Sequence, residues 1–385
     1  MLFIHAQLHT MRGEIIPDGF LLEKEGKIAA LGAMTDCPEI PAGEESLDLA
    51  GRLLLPGFVD AHSHLGMIEE GVGPEGEDIN EMSDPCTPQV RAIDAIDPFD
   101  VCFEEARRAG VTTTVSSPGS ANPIAGEICA LKTVGRWVDK MVVAAPLAMK
   151  FALGENPKRI YGNKEEAPIS RMATAAIIRE NLAKARRYGE DITKAEKEGE
   201  SLPDLDVKLE ALLPVLRGEI GAHFHAHRAY DILTAVRLAE EFGLRLTLIH
   251  CTEGHRIADI LAEAGYPAVC GPIIGTRSKP ELSNMSLENC ATLLRAGVEV
   301  AVSTDHPEVP VGFLPLSAAI VAANGFGGEE ALLSLTYRAA KAVGLENRVG
   351  SLAPGLDADL QVYSSDPLSV GAKPEMVFID GQRVV

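Results

Sequence analysis

Residues 60–64 have the sequence DAHSH, which places three polar side chains at alternate positions directly after an apolar run. Side chains two residues apart on a strand point to the same face of the sheet. Asp60, His62 and His64 are therefore predicted to share one face, and two imidazoles on one face can bind the same metal ion. A pair of buried structural histidines is the alternative for an isolated HxH motif.

Other apolar runs also end in metal-binding residue types. His250 ends LRLTLIH, Asp305 follows VEVAVST, and GAHFHAH carries His223, His225 and His227 with one parity. Metal-compatible groups from several strands favour a metal site over core packing. At most one or two of these can be ligands at the rim, so we predict His225 as the ligand, His227 as a substrate contact and His223 as a deeper structural residue.

Lys150 ends an apolar run over residues 141–149, where a charged side chain is unexpected. Burial lowers the pKa of a lysine and favours its neutral amine. A neutral amine can add CO2 to form a carbamate, whose two anionic oxygens can bridge two cations. The alternatives are a snorkelling or ion-paired lysine, with Glu155 as a candidate partner or substitute carboxylate ligand.

Candidate strands and amphipathic helical segments alternate between residues 56 and 349, which predicts an α/β fold with a (β/α)8 TIM-like barrel. A doubly wound sheet is the structural competitor, but the first strand lacks a glycine-rich phosphate turn. The active site of a barrel lies at the carboxyl ends of its strands, where the residues above fall. Seven segments are predicted as barrel strands: 57–64, 111–117, 141–150, 219–227, 244–251, 266–272 and 298–305.

Residues 155–210 interrupt this alternation with a charged segment, including a predicted helix from an N-cap at Ser170 to Arg187. This segment is either an exposed excursion or a lid over the substrate. Residues 1–55 and 350–385 are instead patterned as short strands, with EG and DG turn signals. Neither end can bury a core alone, so we predict that both ends form one small β-sandwich beside the barrel.

Composition narrows the class of protein. The chain has 385 residues, 46% hydrophobic and 24% charged, and a net charge of −21, which argues against a nucleic-acid partner. Seven scattered cysteines without a CxxC pair are typical of a reducing compartment. The longest apolar run has nine residues against about 20 for a membrane span. We therefore expect a cytoplasmic protein with a small-molecule substrate and no membrane partner; the sequence leaves a homo-oligomer open.

In order, PGFVDAHSHLG, Lys150, His225, His250 and STDHP resemble the motifs of the amidohydrolase superfamily of metal-dependent hydrolases. The resemblance covers essentially the whole chain and is nearest to the imidazolonepropionase-related and prolidase-like dipeptidase branch. It implies a barrel flanked by a β-sandwich, and a site with one or two divalent metals, zinc first. Two departures stand out: HAHR lacks the glutamate that moves protons in deaminases, and MKFALGENPKR is not the usual dipeptidase lysine motif.

The resemblance implies hydrolysis of a C–N amide bond, in a substrate such as an N-acyl amino acid or a dipeptide, by a metal-activated hydroxide. Asp305 is predicted to be both a metal ligand and the catalytic proton carrier. A mononuclear aminohydrolase or an imidazolonepropionase-like cyclic amide hydrolase is the alternative; a non-catalytic scaffold would require a missing ligand. The predicted metal ligands are His62, His64, Lys150, His225, His250 and Asp305, and the predicted substrate contacts are His227, Arg228, Tyr230 and Arg277.

Overall fold

The structure is a computed structural model that describes residues 1–39 and 45–385. Its strands are β1 (Leu2–His9), β2 (Ile15–Lys24), β3 (Lys27–Ala33), β4 (Ser46–Asp48), β5 (Leu53–Pro56), β6 (Phe58–Ser63), β7 (Val111–Ser116), β8 (Ile124–Lys132), β9 (Val142–Ala152), β10 (Gly221–Ala226), β11 (Leu246–His250), β12 (Ala268–Cys270), β13 (Val300–Val302), β14 (Leu360–Tyr363), β15 (Met376–Ile379) and β16 (Gln382–Arg383). Its helices are α1 (Val101–Arg108), α2 (Glu155–Asn163), α3 (Arg171–Glu198), α4 (Val207–Leu216), α5 (Ala229–Phe242), α6 (Ala258–Ala264), α7 (Asn289–Ala296), α8 (Leu314–Val321), α9 (Gly328–Leu335) and α10 (Tyr337–Ala342).

An eight-stranded sheet runs in chain order from β6 to β13 and forms a nearly closed barrel. Its strands are parallel except β8, which is antiparallel to both β7 and β9. The predicted uniform (β/α)8 alternation is therefore wrong at β8, a strand that is not among the seven predicted segments. Short connections without an α-helix join β7, β8 and β9, so the chain can only reverse there. Because one reversal follows another, β9 still ends at the same edge as β7.

Gly126 explains how β8 fits between its neighbours. Its φ is 135°, a value that side chains with a Cβ rarely adopt. A Cβ here would also lie 2.6 Å from the carbonyl oxygen of Val90. The glycine thus permits a close approach of two backbone segments, and the register shifts around it.

The barrel is closed between β6 and β13 by hydrogen bonds beyond the last strand residues. Asp60 accepts from the backbone N–H and the hydroxyl group of Thr304. The N–H of Asp305 donates to the carbonyl of His62 at 3.1 Å, and that of His64 to His306 at 2.9 Å. Asp60 is therefore a closing residue of the barrel, and these bonds hold the DAHSH segment against Asp305.

Strands from both chain ends form a second eight-stranded sheet, with the order β16-β15-β14-β5-β1-β2-β3 and β4 beside β1. The two ends join where β5 pairs antiparallel with β14. The EG and DG turns connect β2 to β3 and β15 to β16, as their left-handed φ values allow. The predicted two-layer sandwich stays a prediction, as do the domain limits 1–55, 56–349 and 350–385.

The charged excursion consists of α2, α3 and α4. Ser170 is the N-cap of α3, and its hydroxyl accepts a hydrogen bond from the N–H of Ala173 at 3.1 Å. The predicted start is confirmed, but α3 continues to Glu198, beyond the predicted end at Arg187. All seven cysteines are free thiols. Within residues 1–39 and 45–385, no helix has the length and apolar character to span a membrane.

Candidate metal centre

Strand ends bring the predicted ligands together at the carboxyl edge of the barrel. Asp305 Oδ1 lies 3.3 Å from His62 Nε2 and 3.4 Å from His64 Nε2, and Asp305 Oδ2 lies 3.9 Å from His250 Nδ1. The ligand atoms of His62, His250 and Asp305 all lie within 4.8 Å of one another. Such spacing allows one metal ion to contact several of these groups.

A second group of three histidines adjoins the first. His225, His227 and His250 place their ligand atoms within 4.8 Å of one another, and all three are buried. Their ring centroids are separated by 4.5 to 4.7 Å. The structure thus brings His227, predicted as a substrate contact, into the same imidazole cluster as two predicted ligands.

The parity argument describes β6 correctly. Val59 and Ala61 belong to an apolar cluster with Ala339 and Ala340, whereas His62 belongs to the candidate metal group. Alternate residues therefore separate apolar packing from chemistry, as expected for a strand.

Hydrogen bonds fix the orientation of the imidazoles. The Nδ1–H of His64 donates to the carbonyl of Ser117 at 2.6 Å, and that of His250 donates to the carbonyl of Gly271 at 2.7 Å. Each bond leaves Nε2 with a free lone pair, the arrangement usual for metal-binding histidines. His250 and Asp305 also adopt positive φ values of 70° and 57°, which are uncommon for residues other than glycine and cluster at functional sites.

Burial keeps the imidazoles neutral. It lowers the pKa of His250 to about 4 and that of His223 to about 3, and lowers the pKa values of His62, His225 and His227 well below the usual range. A neutral imidazole is the form that binds a metal. The donor set therefore fits a divalent cation: buried Nε2 atoms of His225 and His227 have no hydrogen-bond partner within the protein.

Asp305 has the opposite charge behaviour. Burial by itself would raise its pKa, but the neighbouring imidazoles of His250, His62 and His64 hold the pKa well below the usual range. The carboxylate is therefore ionised in the middle of the imidazole cluster. An anionic oxygen among nitrogen donors matches the ligand types of zinc sites.

Lys150 is fully buried and lies two residues before the end of β9. Its Nζ lies 3.3 Å from His62 Nε2. Burial, only partly offset by Asp305, lowers the pKa of this lysine to about 8. Glu155 is not its partner: the side chain of Glu155 accepts from the backbone N–H of Glu281 at 3.3 Å.

A cavity of about 330 Å³ opens over these groups and is lined by His64, Lys150, His225, His227, His250 and Asp305. The other predicted substrate contacts, Arg228, Tyr230 and Arg277, are not among its lining residues. Their side chains instead contact protein: Arg228 donates to the carbonyl of Pro280, Arg277 to that of Ser283, and Tyr230 accepts from Arg171. Their contact with a substrate stays a prediction.

Sequence reasoning missed two cations on the cavity wall. Arg159 comes from α2, so part of the charged excursion covers the mouth of the barrel, and Lys279 comes from the loop after β12. Neither residue ends a strand, and a lone Arg or Lys in a polar segment gives no local signal. Only the packing of these segments over the rim reveals them.

Glu281 is the other missed residue. Its side chain is 1% exposed, and its Oε1 lies 3.6 Å from His227 Nε2 and 3.9 Å from His225 Nε2. It belongs to a short 3-10 turn in the loop after β12, within the ordinary polar sequence SKPEL. Such a sequence predicts a surface loop, so no pattern marked this carboxylate as part of the site.

Comparison with known proteins places this arrangement in a family. The crystal structure of an amidohydrolase from Thermotoga maritima MSB8 has a TM-score of 0.95 and 42% sequence identity to this chain, and the match covers 100% of this chain and 99% of that one. The chain belongs to the amidohydrolase family. The family model "Amidohydrolase family" itself matches residues 215–385, which include His225, His250 and Asp305.

Curated relatives of this amidohydrolase carry hydrolase names. Amidohydrolase tasK of Hapsidospora irregularis is 31% identical over 94% of this chain, which spans 39% of that protein. The imidazolonepropionase of Acidiphilium cryptum (strain JF-5) is 27% identical, with 92% of this chain and 89% of that protein covered. Together these relatives support a hydrolase that acts on carbon–nitrogen bonds.

Proposed function

We propose that this amidohydrolase binds one or two divalent metal ions, zinc first, and hydrolyses the amide C–N bond of a small substrate such as an N-acyl amino acid or a dipeptide. The observation that carries the proposal is the meeting of buried, neutral imidazoles with an ionised Asp305 below an open cavity. Cores do not collect such groups from separate strands without a ligand to satisfy them.

The residues divide between two metal positions. His62, His64 and Asp305 would hold one ion, and His225 and His250 the other, with Lys150 as a carbamate between them. Bound metal ions supply Lewis acidity and lower the pKa of a water molecule towards neutrality. The pKa of Lys150, lowered by burial to about 8, leaves part of the amine neutral and able to react with CO2.

Asp305 is the proposed proton carrier. Its low pKa keeps the carboxylate ready to accept the proton of the attacking water, and its neighbours His62 and His64 hold it in place. The same carboxyl group can then return the proton to the leaving nitrogen. One side chain thereby serves both halves of the reaction.

The cavity wall supports an anionic substrate. Arg159 and Lys279 line it, and the carboxylate of an N-acyl amino acid or a dipeptide would find a cation there. We expect Arg159→Leu to raise KM about 10- to 100-fold with a smaller change in kcat, the range of a charged hydrogen bond. Lys158→Leu, on the same helix but not lining the cavity, is the matched control.

A substrate screen tests the proposal. Zinc-loaded protein is incubated with N-acyl amino acids, dipeptides and small cyclic amides, and the released amine or acid is quantified. We expect turnover on at least one open-chain amide, with Asp305→Asn as the inactive control. Metal-loaded protein that cleaves none of the three classes would contradict the proposal.

Lys150→Ala tests the carbamate separately. If a carbamate joins two metal ions, the variant should lose most activity and much of its second metal, and acetate or propionate should partly restore both. Bicarbonate should also accelerate reconstitution of the unsubstituted protein with metal, because the carbamate of Lys150, unlike its free amine, could bind both metal ions. A variant that keeps both metals and its turnover would leave Lys150 as an ordinary buried amine.

A cyclic amide hydrolase or mononuclear aminohydrolase is the second candidate. The likeness to an imidazolonepropionase over 92% of this chain favours it. In this case one metal per chain would suffice, held by His62, His64, His225 and Asp305. Metal content per chain and turnover of a five-membered cyclic amide distinguish the two candidates.

A further inference from the structure

We infer that His227 and Glu281 are ligands of the second metal position, together with His225 and His250. This inference rests on the proposed function and deepens it, because neither residue was among the ligands expected from sequence. It leaves the first position, formed by His62, His64 and Asp305, unchanged.

Three buried atoms without hydrogen bonds meet at this point. They are Nε2 of His225, Nε2 of His227 and Oε1 of Glu281. Glu281 Oε1 is 3.6 Å from the Nε2 of His227 and 3.9 Å from that of His225. An unpaired buried polar atom costs free energy, so two imidazole nitrogens that face a carboxylate oxygen and have no hydrogen-bond donor of their own indicate an absent common partner.

The chemistry of the three atoms identifies the partner as a cation. Two imidazole nitrogens and one carboxylate oxygen form a known type of zinc donor set. His250, whose Nδ1 donates to the carbonyl of Gly271 and whose Nε2 is thereby left as an acceptor, is the third histidine of the same cluster. The three imidazoles and the carboxylate would therefore surround one ion with protein atoms.

The surrounding contacts hold Glu281 and His227 in this orientation. The backbone N–H of Glu155, the first residue of α2, donates to Glu281 Oε2 at 2.9 Å, which leaves Oε1 facing the histidines. The Nδ1 of His227 is 2.7 Å from the hydroxyl oxygen of Thr252, which leaves its Nε2 for the ion. Bonds of this kind commonly orient metal ligands.

Lys279 is the competing partner of Glu281. Its Nζ lies 2.8 Å from Oε1, but at an angle that makes no hydrogen bond. Its side chain is 28% exposed, so the ammonium group has access to water, whereas Glu281 and the histidines do not. A cation bound by Glu281 would displace Lys279 toward the cavity, which it already lines.

Metal binding itself tests the inference. Apoprotein of the unsubstituted chain, Glu281→Gln and His227→Gln is titrated with Zn²⁺ against a chromophoric chelator, and bound zinc is counted after dialysis. We expect each variant to lose about one zinc per chain, or to bind the second zinc at least about tenfold more weakly. Tight binding of the first zinc should persist.

Glu253→Gln is the matched control. Glu253 is also buried and near the rim, but both its oxygens are satisfied, by the N–H of Ala229 at 2.9 Å and by Asn284 at 2.6 Å. This variant should keep the zinc content and affinity of the unsubstituted protein. Circular dichroism and thermal unfolding show which variants are folded. If Glu281→Gln does not fold, Glu281→Asp is measured in its place, and we expect it to bind the second zinc with partly recovered affinity.

The outcomes separate this inference from the proposed function. Two zinc ions with unchanged affinities in both Glu281→Gln and His227→Gln would overturn the inference while leaving amide hydrolysis possible. A chain that binds two zinc ions and loses one in each variant would support it even if no amide were cleaved. A chain that binds at most one zinc ion before substitution would overturn it outright.

Discussion

Two clusters of charged or polar side chains, each centred on buried residues, lie in different parts of the molecule. The rim cluster consists of the histidines, Lys150, Glu281 and Asp305 at the carboxyl edge of the barrel. The junction cluster links the barrel to the C-terminal part of the chain: Lys132 Nζ lies 2.6 Å from Asp359, 2.9 Å from Asp357 and 3.3 Å from Asp380. Arg348 and Lys27 also pair with Asp357.

The junction cluster satisfies its own charges. Burial lowers the pKa of Lys132, but the three aspartates raise it more, so the ammonium stays charged. Burial likewise raises the pKa of Asp357, but Arg348 and Lys132 lower it more. Each ion has an opposite partner within the protein.

The rim cluster has donor atoms that no group within the described part of the protein satisfies. Its imidazoles are pushed towards the neutral form by burial, and the Nε2 atoms of His225 and His227 have no hydrogen-bond partner. This contrast distinguishes buried polar residues that stabilise the fold from those that bind a ligand. A cluster whose charges are all paired within the protein contributes to folding. A cluster whose metal-binding atoms have no partner indicates a ligand site.

The largest expected effect lies at the rim. Protein purified without chelator should contain about one to two divalent ions per chain, and His62→Ala or His250→Ala should abolish tight binding and activity, because a metal ligand is lost. Elemental analysis measures the metal. Full metal occupancy in both variants would show that these histidines are not metal ligands, and the rim cluster would then have no demonstrated ligand.

Asp305→Asn should lower turnover by about 10²- to 10⁴-fold, the range of general acid–base catalysis. The amide keeps the size and one acceptor oxygen but cannot carry the proton. Steady-state kinetics at fixed metal occupancy give the effect. Turnover near that of the unsubstituted protein would assign proton transfer to another group.

Lys132→Met should act on stability alone. Removing the cation leaves Asp357 and Asp359 buried with less compensation, which costs about 3–5 kcal/mol. We expect a lower denaturation midpoint, with zinc content and turnover of the folded protein unchanged. Loss of metal at temperatures where the variant is folded would show that the two clusters are coupled.

The smallest effect concerns acid stability. Because the pKa of Asp357 is lowered on folding, its contribution is present above the unfolded value of about 3.9 and is lost as pH falls through the lower folded value. Burial raises the pKa of Asp359, so protonation of that residue opposes the loss. Asp357→Asn should flatten the acid limb of unfolding midpoints measured between about pH 5 and 2. If the midpoints of Asp357→Asn fall with pH as steeply as those of the unsubstituted protein, other carboxylates cause the loss of stability in acid.

The predictions that hold rest on residues close together in the sequence. The two-residue period of β6 and β10 placed His62, His64 and His225 at one rim of the barrel, and the EG and DG turns join the short strands that were expected on either side of them. Ser170 caps α3 as predicted. Each of these depends on neighbours along the chain, where backbone geometry constrains the result.

The residue types of the rim, most of the strands that carry them and the family resemblance can therefore be read from the sequence. The reversal of β8, the partner of Asp60 and the approach of Glu281 to His227 depend on the packing of the folded chain. Thr304 follows Asp60 by 244 positions, and Glu281 bonds to a residue 126 positions away. Contacts between residues so far apart in the sequence depend on how whole segments pack. A short polar sequence such as SKPEL therefore does not predict which residues it will contact.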